Sequence, residues 1–189
     1  MHDSDPSQIP AFSLRNRLLR FVWGIVYALL FRLSLRPFHG WRNFLLRSFG
    51  ATIGQGSHIY PTARIWAPWN LHCEDHVTIA DEVVVYNPDM LTLRSHAIVS
   101  QQAYLCGATH DHEDPAFPLI SFPTTLGAYS WVCARATVMP SVNVGEGAIL
   151  ALGSVATTDL SPWTVYAGVP AKPIKARTIR AAQEGSASA

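Results

Sequence analysis

The feature that most constrains this chain is a period of six. From Ile53 onward an aliphatic side chain returns every sixth residue: Ile53, Ile59, Ile65, Leu71, Val77 and Val83. The series slips near residues 87–90 and resumes at Leu93, Val99 and Leu105. It breaks a second time, then returns at Leu126, Val132, Val138, Val144 and Leu150, with Ala156 a weaker member. Four residues after most of these lies a small side chain, as at Ser57, Ala63, Ala97, Ala103, Thr109, Ser130, Ala136, Ala148 and Ser154. A period of six fits neither the 3.6 of a helix nor the 2 of a strand. It predicts a parallel β-helix of hexapeptide repeats, three to each triangular coil. The aliphatic residue points inward and stacks on its equivalent one coil away. The small residue sits near the corner, where nothing bulky fits. Such a stack is built coil on coil, and each end needs a cap.

The repeats divide the chain. An arm is expected over 1–12, a helical cap over 13–50, the β-helix over 51–160 with an extruded loop at 109–125, a C-terminal cap over 161–177 and a tail over 178–189. The fold class is therefore all-β with a helical cap. In the cap, Ser13 is placed to N-cap a helix that starts at Leu14 and is stopped by Pro37. A second, short helix is expected over about 38–49, with Gly50 at its end. The first helix opens with Arg15, Arg17 and Arg20 and then turns apolar on nearly all sides, a pattern of burial or of lipid contact. Two readings follow. The hairpin closes the open end of the β-helix or packs on a neighbouring subunit. Or it is a peripheral membrane anchor, with arginines at head groups and Trp23, Tyr27 and Trp41 at the interface.

Composition narrows the classes. The chain is 49% hydrophobic but only 14% charged, against about 25% charged in an ordinary soluble domain. Large buried surface or a subunit interface would account for that. A net charge of +1 argues against a nucleic-acid partner, which calls for a basic stripe. Three cysteines without a CxxC pair fit a reducing, cytoplasmic setting. The N-terminus carries acids where a signal peptide needs cations, and the apolar run over 21–31 is too short to span a bilayer.

The second break in the rhythm is where chemistry is expected. Cys106-Gly107-Ala108-Thr109-His110-Asp111-His112-Glu113-Asp114-Pro115 has no hydrophobic period of its own. A histidine in a loop on a rigid scaffold suits general-base work, because imidazole titrates near neutral pH. A solvated loop histidine is the bland alternative. His112, Glu113 and Asp114 are too tightly spaced for all to face one ion, so no metal is expected. His72 and His76 are four apart but remote in sequence from His110. Asp111 or Glu113 is expected to orient His110 or to meet an acceptor. Asn87 and Asp89 fall at the first slip, where side chains can leave the stack, and are candidate hydroxyl binders; turn chemistry is the alternative for Asn87.

Across about 12–177 the chain resembles the left-handed β-helix acyltransferases of the hexapeptide-repeat class. Within that class it is similar to the WcaF-type colanic acid biosynthesis acetyltransferases. The resemblance rests on Phe38-His39-Gly40-Trp41-Arg42, Ile65-Trp66-Ala67-Pro68-Trp69-Asn70-Leu71, Gly107-Ala108-Thr109-His110-Asp111, Asp114-Pro115-Ala116-Phe117-Pro118-Leu119-Ile120 and Ala167-Gly168-Val169-Pro170-Ala171-Lys172. It implies a homotrimer that moves an acetyl group from acetyl-CoA to a sugar hydroxyl in exopolysaccharide or lipopolysaccharide assembly, by direct transfer. His110 matches the base of the galactoside and maltose acetyltransferases. The resemblance gives Trp131 a place beside the pantetheine arm and the acceptor. Ala134 would supply a backbone N–H near the thioester carbonyl. Leu152 and Gly153 would hold the pantetheine, and Lys172, Lys175 and Arg177 would meet the phosphates. Asp111 and His112 complete the expected acceptor contacts. Ala80 stands where the galactoside branch has a polar sugar contact, so that branch's substrate does not carry over. Two alternatives stay open: N-acylation of an amino nucleotide-sugar, and a non-catalytic trimeric scaffold at a membrane.

Overall fold

The computed structural model describes residues 12–179. The expected arm and tail lie outside the described residues, apart from their innermost positions.

Three parallel sheets form the sides of a triangular prism. Face A carries the strands Thr52–Ile53, Leu71–Cys73, Leu91–Leu93 and Thr124–Leu126. Face B carries His58–Ile59, Thr78–Ile79, Ile98–Val99, Trp131–Val132, Ile149–Leu150 and Thr164–Gly168, with Ala171–Ala176 folded back antiparallel on the last. Face C carries Arg64–Ile65, Val84–Tyr86, Tyr104–Cys106, Thr137–Val138 and Val155–Ala156. Two-residue strands suffice because each coil pairs with the next, so the ladder runs along the prism rather than along the chain. The fold is a left-handed β-helix.

The inward stacks follow from the register. Ile53, Cys73, Leu93 and Leu126 align on face A. On face B the column is Ile59, Ile79, Val99, Val132, Leu150 and Tyr166. On face C it is Ile65, Val85, Leu105, Val138 and Ala156. These side chains are buried throughout.

The columns correct the six-residue count. The rhythm already slips once before residues 87–90, at 67–70, where Pro68–Asn70 form a 3-10 turn. Leu71 and Cys73 both point inward. Val77 and Val83, expected in the stack, instead occupy corner positions. Val77 is level with Ser57, whose hydroxyl accepts its N–H at 3.2 Å, and the Arg64 N–H reaches the Val83 carbonyl. The count stayed aliphatic through the slip because corners are as buried as stacks: both valines are wholly inaccessible. Both slips fall on the same edge of the prism, between face C and face A. The loop leaves from that edge as well.

The hairpin closes the first coil. Helix α1 (Leu14–Val26) is capped by the Ser13 hydroxyl and runs on through a π-helical turn, Tyr27–Phe31; helix α2 is His39–Ser48. Phe31, Leu45 and Leu46 enter the core, and the Trp23 indole donates to the Ile65 carbonyl at 2.7 Å. Arg42 is fully buried. Among the described residues no carboxylate pairs with it directly; its guanidinium donates to the carbonyls of Leu35, Arg36 and Ile59 and to the Ser34 hydroxyl. Desolvation pushes its pKa down, and that cost is offset only because every one of those bonds is made.

Candidate active site

The loop is an antiparallel hairpin. Ala108–His110 pairs with Leu119–Ser121, with His110 opposite Leu119. Gly107 starts it, where a Cβ would come within 2.7 Å of the Tyr86 carbonyl, so no side chain fits between coil and loop. His110 stands at the end of its strand and is exposed. Its Nδ1 lies 2.6 Å from the Phe117 carbonyl. A carbonyl only accepts, so Nδ1 carries the proton and the neutral ring keeps its lone pair on Nε2. That is the tautomer a general base needs, with Nε2 left unprotonated.

Phe117 reaches this position with φ +46, a left-handed conformation that costs a non-glycine residue about 1–2 kcal/mol. The turn is held by the Phe117 N–H on the Asp114 carbonyl. Of the two acids expected to orient His110 or meet an acceptor, Asp111 accepts from the Glu113 N–H at 3.0 Å, and the Glu113 carboxylate has no partner among the described residues; Asp114 beside them accepts from Ala116 at 2.8 Å. Phe117 had no role in the sequence beyond its place in the family-like stretch 114–120, because the group in contact is its backbone oxygen. His112 is exposed beside this turn.

Asn87 is turned into the prism. It is 1% exposed; its amide donates to the Ala67 and Asn70 carbonyls and accepts from the Ala67 N–H at 3.0 Å. Both N–H groups are used to tie one slip of the rhythm to the other, which is a structural task rather than the expected acceptor contact. Asp89 lies on the same edge and borders a crevice with Gly107 and Phe122, while its own carboxylate accepts from the Met90 N–H.

The residues expected to hold coenzyme A gather elsewhere, on face B and its edge with face C. Trp131 is half-exposed and its indole donates to the Ser100 hydroxyl at 2.8 Å. Ser100, Thr78, Ala80, Ile98 and Arg135 line a neighbouring cleft of about 650 Å³. Ser100 had no signal in the sequence beyond its place in the repeat. The Ala134 carbonyl accepts from the Gly153 N–H at 3.0 Å, while the Ala134 N–H has no acceptor among the described residues. Leu152 and Gly153 form the exposed turn above it. Lys172 and Lys175 extend from the last strand, and neither is in an ion pair among the described residues. Arg177 departs from expectation. It donates to the Tyr129 and Gly147 carbonyls at 2.6 and 2.8 Å, and so clamps two coils rather than waiting for a phosphate.

No thiol is poised as a nucleophile. Burial pushes both Cys73 and Cys133 up in pKa, and the Cys106 thiol donates to the Ala108 carbonyl. Among the described residues no three His, Cys, Asp or Glu side chains are grouped to hold a metal ion.

His110 and the residues expected to hold coenzyme A thus occupy different edges of one prism. His110 rises from the edge between faces C and A. Trp131, Ala134 and Gly153 lie across face C, on face B and its edge with face C.

No family model matches the chain. A protein of Escherichia coli K12 assigned as the colanic acid biosynthesis acetyltransferase WcaF is 33% identical over 178 residues, which is 94% of this chain and 98% of that protein. The galactoside O-acetyltransferase of the same organism is 27% identical over 148 residues, 71% of this chain and 68% of that one. Among solved structures, a hexapeptide-repeat acetyltransferase of Vibrio cholerae superposes with a TM-score of 0.80 at 22% identity, covering 88% of this chain and 95% of that one; that protein has also been solved with acetyl coenzyme A.

Proposed function

The chain belongs to the hexapeptide-repeat acetyltransferase family of WcaF, and from that premise we propose that it is an acetyl-CoA-dependent O-acetyltransferase acting on a sugar hydroxyl in polysaccharide assembly. The observation that carries the proposal is the His110 tautomer. With Nδ1–H held by the Phe117 carbonyl at 2.6 Å, Nε2 is the free acceptor. It takes the proton of the hydroxyl as that oxygen attacks the thioester carbonyl. The Ala134 N–H, without a partner among the described residues, donates to the oxyanion that develops. The imidazolium then returns its proton to the departing thiolate of coenzyme A. The acetyl group passes directly, consistent with thiols that are buried or already hydrogen-bonded.

Coenzyme A would lie along Trp131, Leu152 and Gly153, with Lys172 and Lys175 at its phosphates. Since base and cofactor surface sit on different edges of one chain, the reading joins the loop of one subunit to face B of the next. A homotrimer supplies that arrangement three times. Apolar side chains that face outward on face B, Ile98 and Trp131 among them, suit burial between subunits. The cleft beside Ser100 is the acceptor's place in this reading, and Ala80 on its wall leaves it without the polar contact of the galactoside branch. The reaction is set in the cytoplasm, where acetyl-CoA is made.

The test is transfer from acetyl-CoA to a panel of sugars and sugar nucleotides, wild type against His110→Ala. The expected loss in kcat/KM is about 10²–10⁴-fold, with coenzyme A binding unchanged. Equal transfer by the two proteins defeats the assignment of the base. Transfer to an amino sugar alone would replace the hydroxyl acceptor with an amine.

A further inference from the structure

Helix α1 has two apolar faces, and the prism uses only one. Trp23, Tyr27 and Phe31 pack against the first coil. On the opposite side, Leu14, Leu18, Phe21, Ile25 and Leu29 recur at helical spacing and stay in solvent; Phe21 is 68% and Leu18 56% exposed. The stripe continues past the π-helical turn into an apolar groove of about 500 Å³ floored by Leu30, Leu33, Phe38 and Trp41. Trp41 stacks on Phe44 with ring centroids 5.8 Å apart, and its indole is anchored to the Leu30 carbonyl.

Along the described helical segment the formal charge has one sign. No aspartate or glutamate occurs between residues 12 and 73, while residues 12–50 hold seven arginines. Four of the seven are engaged within the chain: Arg20 over Trp66, Arg36 with Asp81, Arg42 in the core and Arg47 on the Ile53 carbonyl. Arg15, Arg17 and Arg32 are exposed and have no ion pair among the described residues. At 100° per residue, Arg15 and Arg17 fall on the two shoulders of the outer stripe.

We infer that this surface docks the protein on an anionic phospholipid membrane, with α1 lying in the plane of the interface. An apolar stripe flanked by arginines is the pattern that enters head groups while its cations reach lipid phosphates. No described helix is long and apolar enough to cross a membrane, so the contact is parallel to the surface. A second copy offering the same surface would bring arginines against arginines. An anionic lipid layer complements them.

The experiment is co-sedimentation of the full chain with vesicles of phosphatidylglycerol and phosphatidylcholine, against vesicles of phosphatidylcholine alone. Light scattering gives the oligomeric mass in parallel. The anionic vesicles are expected to carry the protein down, and raised salt to release much of it. Arg15→Gln with Arg17→Gln and Arg32→Gln is expected to weaken that binding by about 100-fold. Leu18→Glu with Phe21→Glu should abolish it, and neither side chain touches the core. Both variants should keep the mass and the acetyl transfer of the wild type. Failure of the wild type to bind anionic vesicles, or equal binding by the glutamate variant, overturns the inference. A lower oligomeric mass in that variant also overturns it, because a second copy would then be what covers the stripe.

Discussion

Two edges of the same prism are built on opposite terms. Between faces A and B every coil turns in the same way, with Gly56, His76, His96, Tyr129, Gly147 and Trp163 each at positive φ in the equivalent place. The repetition lets rings stack: His76 on His96 at 4.9 Å, and His96 on Tyr129 at 4.8 Å. Between faces C and A the successive turns differ. One coil makes a 3-10 turn at Pro68–Asn70, the next detours at 87–90, and the third extrudes the hairpin that holds His110. A repeated turn commits its backbone groups to the equivalent turn one coil away. An irregular turn leaves backbone and side chains over, and those leftovers are what a reaction can use. The scaffold is thus regular between faces A and B and irregular on the edge that carries His110.

The largest effect on stability is expected from breaking the regular part. Leu150 is wholly buried in the face B column, paired with Val132 on one side and Tyr166 on the other. Leu150→Ala should lower stability by about 2–5 kcal/mol, read as a fall in the urea midpoint. Coils contact only their neighbours, so the damage is local to the stack, and transfer per folded molecule should hold. A midpoint that does not move would mean that the columns are not what holds the prism together.

On the irregular edge Asn87→Ala is the matching break. It strips the Ala67 N–H and two carbonyls of their buried partners, which costs about 1–3 kcal/mol. The expected readout is a lower urea midpoint with an unchanged KM for the acceptor. A raised KM at an unmoved midpoint would return Asn87 to the acceptor site.

The sequence already displayed the regular edges, since an inward position that must stay aliphatic repeats in every coil. It concealed the slip at 67–70 for a related reason. Val77 and Val83 are aliphatic and buried although they are corners, so a count of six passed over them undisturbed. His110 was legible because a histidine stood in a stretch with no period. Its partner was not, because a carbonyl oxygen is common to every residue and only the fold selects that of Phe117. Asn87 and Arg177 were legible as polar groups, yet their partners are backbone atoms a coil or more away, and spacing along the chain does not display those. The separation of His110 from Trp131 is likewise a property of the prism. Three faces and three edges after one another in sequence say little about which of them another subunit will meet.

The smallest change sharpens the comparison most. Phe117 holds a left-handed φ of +46 and is 57% exposed, so its side chain contributes little to the fold while its backbone is strained. Phe117→Gly relieves the strain and frees the turn. The two consequences nearly cancel, and stability read from urea unfolding should change by no more than about 0.5 kcal/mol. Catalysis is different, because the carbonyl that fixes the His110 proton on Nδ1 is then free to wander. Loss of that register should cost about 10- to 100-fold in kcat/KM, with KM for acetyl-CoA unchanged. On a regular edge the same exchange, at His96 for example, would leave transfer alone, since no reacting group leans on that turn. If Phe117→Gly transfers acetyl as fast as wild type, the strained turn is incidental, and the imidazole is held in register by something other than this carbonyl.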